Sequence, residues 1–171
     1  MKVLISLLIA LSLQASSIHS LVNELHNLSY SQKVTLAKTF LKAKPFDYQY
    51  TMTAIAWQES KFGKFKINLM DPSCGIFHIM PRYLSDSKWK QSRICERLIL
   101  DYDFSFSTAL QQIKYWENYW KSKRVQKVWS HTVMSYNAGY GTSKKYLNEI
   151  KKKIRALKIF VKGTSLNSKK D

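Results

Sequence analysis

Cysteine is scarce in this chain of 171 residues: Cys74 and Cys95 are the pair, and the 4 histidines are scattered. No grouping of His and Cys has zinc-like spacing, so neither a metal centre nor a cofactor is expected. No segment repeats, which argues against a solenoid. Long apolar runs are also missing beyond Val3 to Leu13, and that stretch is too short to cross a bilayer comfortably. Acids are few, 11 Asp and Glu against 28 Lys and Arg, for a formal net charge of +17. Such an excess repels itself unless a polyanion is near.

What is present begins with a targeting pattern. Lys2, the apolar run after it, and small residues at Ala15-Ser16-Ser17 or Ile18-His19-Ser20 read as an export signal over residues 1–20. An uncleaved anchor is the alternative. No cysteine near the cleavage region offers a lipid attachment point, so the mature chain is expected to be soluble, periplasmic or secreted. Removing Lys2 takes the formal charge from +17 to +16. Export would bring Cys74 and Cys95 into an oxidising compartment. A disulfide between them is one reading and an ordinary buried thiol at Cys95 the other, since sequence does not show whether the sulfurs meet.

The remainder reads as one mainly α domain over residues 21–160, followed by a basic, flexible tail over 161–171. Leu21 to Leu41 is loosely helical, and Pro45 stops or restarts the chain. Phe106, Ala109, Leu110, Ile113, Trp116 and Trp120 form a helical stripe for which Ser105 is a candidate N-cap. A further helix is expected from about Arg124, with Val125, Val128, Trp129, Val133 and Tyr136 on one face and Gly139 as its stop. Leu147, Ile150, Ile154 and Leu157 mark a last amphipathic helix. Residues 61–75 have no period and read as a loop; no strand is compelling.

The chemistry concentrates at Glu59. Met52, Ile55 and Ala56 share its helical face, which places the carboxyl at the edge of the core, partly removed from water. A carboxyl in that setting tends to keep its proton, as a general acid must near neutral pH. The plain alternative is a helix-terminal Glu in solvent. Two later segments weigh against it: Gly75-Ile76-Phe77-His78-Ile79-Met80-Pro81, and Ser135-Tyr136-Asn137-Ala138-Gly139.

In that order, Glu59-Ser60-Lys61-Phe62, then the Gly75 segment, then Tyr136-Asn137-Ala138-Gly139, residues 45–150 resemble the catalytic domain of the soluble lytic transglycosylases. The resemblance implies a lysozyme-like single domain, which in such proteins often keeps a small β-hairpin. It implies cleavage of peptidoglycan between N-acetylmuramic acid and N-acetylglucosamine without water, giving 1,6-anhydromuramoyl products. Glu59 would act first as acid and then as base. Asp71, Asp86, Glu96, Asp101 and Asp103 lie in no patterned segment, and the family needs no second carboxylate.

By motif match, Ser60 would pack and hydrogen-bond near the site, Tyr136 would bring its hydroxyl to the acid, and Asn137 would contact sugar. Gly75 would let backbone approach the glycan, and Phe77 replaces a methionine of the family pattern. His78 is the departure: the family usually carries glutamine there, contacting the glycan, and imidazole is shorter and can become charged. The expected partners are peptidoglycan glycan strands and an envelope secretion or assembly machine. Nucleic acid is not expected, and the chain is read as a monomer. A muramidase-type hydrolase, and a glycan-binding or assembly protein of the same fold without turnover, are the competing readings.

Overall fold

The computed structural model describes residues 17–167, with side chains to residue 164. Residues 1–16 of the stretch read as an export signal and 168–171 of the basic tail lie outside the described residues. Helix α1 covers residues 17–26, with Leu21 and Val22 against the core and Leu25 inside it. A break at Asn27 to Ser29 divides what sequence periodicity runs together. Ser29 Oγ accepts from Gln32 N at 3.4 Å, while Gln32 Oε1 accepts from Ser29 N at 3.0 Å. This reciprocal capping box starts α2, Tyr30–Ala43.

Pro45 opens a short 3₁₀ turn, Lys44–Phe46, and Asp47 in the left-handed region redirects the chain into α3, Gln49–Ser60. Every residue of α3 from Thr51 to Trp57 is buried, because α2 and α7 cover it from different sides. A helix covered all round has no polar face to reveal it. It ends sharply. Lys61, Phe62 and Gly63 have φ of 49°, 57° and 86°, and Phe62 is held there by burial against the Trp57 ring, 5.9 Å away. Left-handed backbone is costly for non-glycine residues, so packing must outweigh it.

The stretch read as a loop contains a minimal hairpin. β1, Ile67–Asn68, pairs antiparallel with β2, Ser73–Cys74, in the register Ile67 to Cys74 and Asn68 to Ser73. A 3₁₀ turn, Pro81–Tyr83, leads to α4, Lys88–Leu100. Cys74 and Cys95 are joined by a disulfide with Cα atoms 5.3 Å apart, which fastens β2 to α4.

Two boundaries differ from the sequence reading. The N-cap of α5, Tyr102–Ser122, is Asp101, whose Oδ1 accepts from Phe104 N at 2.9 Å. Ser105 lies inside that helix, fully buried. Helix α6, Val128–Ala138, starts later than Arg124, which takes φ 54° and turns the chain between α5 and α6. Gly139, at φ 59°, ends α6 as expected. Helix α7 runs Lys144–Asn167 and so takes in residues 161–167 of the stretch read as a basic tail. The architecture is mainly α with one small hairpin, in which α3 sits under α7 and α5 packs on α6.

The bridge closes a loop with a sequence separation of 21 residues. Its removal by Cys95→Ser is expected to cost about 3 kcal/mol, read from urea unfolding. Oxidised protein should show no reactive thiol until reductant is added; two free thiols in native protein would contradict the pairing.

Candidate active site

Glu59 occupies the last turn of α3, with its side chain 16% exposed. Its Oε1 accepts the hydroxyl of Tyr146, from the first turn of α7, at 2.6 Å. Its Oε2 faces Nδ1 of His78 at 3.6 Å. The carboxyl therefore sits where the covered end of one helix meets α7 and the segment after the hairpin.

His78 is held from its other side. Nε2 lies 2.7 Å from the Phe65 carbonyl oxygen. A carbonyl can only accept, so Nε2 carries a hydrogen. Burial pulls the imidazole's pKa down. The close Glu59 carboxylate, the hydrogen bond to the Phe65 carbonyl and the charge of Asp71 together outweigh it, and the group ends above its ordinary value. The backbone of His78 is itself left-handed, at φ 46°. The phenols of Tyr136 and Tyr146 are pushed well above their usual range, by burial first and by the charge of Glu59 next. Both stay neutral donors.

Ser60 is fully buried. Its hydroxyl donates to the Ile76 carbonyl at 2.7 Å and accepts from Gly63 N at 2.8 Å. It thus clamps the end of α3 to the segment that carries His78, and its hydroxyl is not available to a glycan. Gly75 has φ +82°, and a Cβ there would come within 2.5 Å of the Leu98 carbonyl oxygen and 2.9 Å of Ser105 Oγ. The close approach it permits is to α4 and α5 rather than to sugar. Phe77 is fully buried, edge-on to Phe106 at 6.1 Å. Ser60, Gly75 and Phe77 are thus all engaged by the interior.

The tyrosine assignment also changes. Tyr136 donates its hydroxyl to the Phe77 carbonyl at 2.8 Å. The hydroxyl on the acid belongs to Tyr146, which the sequence motifs did not single out. One signal was available. Tyr146 lies four residues before Ile150 on the buried stripe of α7, and an inward tyrosine needs a partner for its hydroxyl. Asn137 stands exposed on the last turn of α6. Trp89 is the exposed tryptophan, at 66%, with the Arg93 guanidinium 5.0 Å from its ring centre.

Other carboxylates are engaged elsewhere. Asp101 caps α5, Asp103 takes Lys42, Glu117 takes the Tyr48 hydroxyl, Glu149 takes Lys152 and Glu24 takes the Trp57 indole. Asp71 reaches the site through its charge on His78. Two surface depressions, one along Arg93 to Phe104 and one between Tyr50 and Lys158, contain none of Glu59, His78 and Tyr146.

A mainly α domain with one small hairpin and a carboxyl at the end of a covered helix is of the lysozyme-like class. Within it, the chain belongs to the transglycosylase SLT domain family, whose family model matches residues 41–159. No curated protein and no solved structure matches it.

Gly75→Ala should lower stability by at least about 2 kcal/mol, since it forces both a left-handed alanine and an overlap with backbone. An unchanged urea midpoint would mean that the hairpin does not pack on Leu98 as described.

Proposed function

We propose that this protein is an exported lytic transglycosylase that cuts the glycan strands of peptidoglycan. The observation that carries the reading is the setting of the Glu59 carboxyl: one oxygen is anchored by Tyr146 and the other faces His78, while Asp101, Asp103, Glu117, Glu149 and Glu24 are bound elsewhere and Asp71 acts only through its charge on His78. Family membership supports the substrate class.

The chemistry follows from that inventory. Glu59 donates its proton to the oxygen between N-acetylmuramic acid and N-acetylglucosamine, and the bond from that oxygen to the muramoyl anomeric carbon breaks. The carboxylate then takes the proton of the muramoyl six-position hydroxyl, whose oxygen closes on the anomeric carbon. The product is a 1,6-anhydro sugar, and the carboxyl is protonated again. The substrate's own acetamido group steadies the positive charge that a second enzyme carboxylate meets in two-carboxylate glycosidases. The Tyr146 hydrogen bond fixes the carboxyl's orientation, which such a dual role requires.

The charge of +17 suits the wall, whose peptide stems carry carboxylates. Lys144, Lys151, Arg155 and Lys158 recur at helical spacing on the exposed face of α7. The signal-like pattern over residues 1–20 supports a periplasmic or secreted location, where the proposed enzyme acts as a monomer with an envelope assembly machine as its expected partner.

Glu59→Gln keeps the side chain's shape but has no proton to give. Release of soluble muropeptides from purified sacculi should fall at least about a hundredfold. Undiminished release would falsify the assignment of Glu59. Binding to intact sacculi should weaken as salt rises from low levels through about 0.1 M, where charges are screened beyond roughly 10 Å. Salt-independent binding would place the affinity in the sugar contacts instead.

A further inference from the structure

His78 stands where the sequence comparison expected a glycan-contacting amide, but its ring is committed at both ends. Nε2 is bound to the Phe65 carbonyl at 2.7 Å and Nδ1 points at Glu59 Oε2, 3.6 Å away, with the side chain only 10% exposed. Because Nε2 must keep its hydrogen, Nδ1 is the nitrogen that titrates. The opposing Glu59 oxygen is the one that Tyr146 leaves free. We propose that His78 is a positioning residue that shares one proton with Glu59, storing it on Nδ1 and passing it to Oε2 for delivery to the leaving oxygen. This rests on the reading of Glu59 as the acid.

The separation of 3.6 Å is an ion-pair contact. Shortening it by about half an ångström gives a hydrogen bond along which a proton can move. The cycle balances. The proton leaves Nδ1 for Oε2 and goes to the glycosidic oxygen as the bond to the anomeric carbon breaks, leaving a neutral imidazole and a carboxylate. The carboxylate takes the proton of the attacking hydroxyl and returns it to Nδ1.

The titratable groups around the ring are Glu59 from α3, Asp71 from the hairpin turn and, behind Glu59, the neutral phenols of Tyr146 and Tyr136. Both carboxylates favour the charged imidazole. The stored proton is thus present at low pH and lost as pH rises through a value above that of a free histidine. The alkaline limit of activity then belongs to the Glu59 and His78 pair rather than to a lone carboxyl.

Two measurements decide it. The His78 ring, assigned by its loss in His78→Gln, is titrated by NMR in the wild type and in Glu59→Gln. Its midpoint should drop by about one pH unit or more when the carboxylate is removed. Equal midpoints would overturn the pairing, whether or not the protein turns over. In His78→Gln, which can still donate to the Phe65 carbonyl but cannot titrate, the alkaline limb of kcat/KM should move down by about one unit. Coincident limbs would reduce His78 to a space-filling role. Should the wild type release no muropeptides at any pH, the transglycosylase reading fails, and the NMR arm still tests the pair.

Discussion

The buried hydroxyl of Ser60 is the joint on which the site depends. It ties the last turn of α3 to the buried Ile76 carbonyl and to the part-buried Gly63 amide, at 2.7 and 2.8 Å. Removing it would leave the Ile76 carbonyl of the buried segment without that donor, at a cost of about 1–3 kcal/mol. Its geometric consequence reaches further. Glu59 precedes it in the chain, and His78 follows Ile76 by two residues. The clamp therefore sets the distance between carboxyl and imidazole without touching either. The disulfide from Cys74 to Cys95 and the close seat of Gly75 on Leu98 hold the same segment from its far side.

Around that joint the electrostatics are arranged by burial. Tyr146 and Tyr136 are kept neutral by desolvation and by the nearby carboxylate, so they act as fixed donors. Tyr136 spends its hydroxyl on the Phe77 carbonyl, which leaves Tyr146 to orient Glu59. On the proposed reading, a carboxyl that must give a proton and then take one back gains from a partner that can hold it between steps. His78 has the position for that task.

Glu59 stood out in the sequence because Met52, Ile55 and Ala56 precede it at helical spacing, and because three short motifs occur in order. The mainly α fold was legible from period alone. The hairpin was not, since strands of two residues are too short to alternate. Asp101 was missed as a cap because the clean apolar stripe of α5 begins one turn later, at Phe106. Arg124 was read into α6 because Val125 and Val128 happen to match its spacing, although the chain turns there through a left-handed residue. The place of Tyr146 on the buried stripe of α7 is legible, while its partner depends on α7 packing on α3, a tertiary relation. The same holds for Ser60, Gly75 and Phe77, whose motif positions are visible while the interior contacts that use them are not.

The central claim is that one carboxylate serves a nucleophile carried by the substrate itself. Digestion of purified sacculi in water labelled with heavy oxygen tests this most directly, with mass analysis of the released muropeptides. The account predicts products that carry no heavy oxygen and are lighter by one water than hydrolysis products, ending in an anhydro sugar. Heavy oxygen at the anomeric carbon of a reducing-end product would show that water is the nucleophile, and would contradict it.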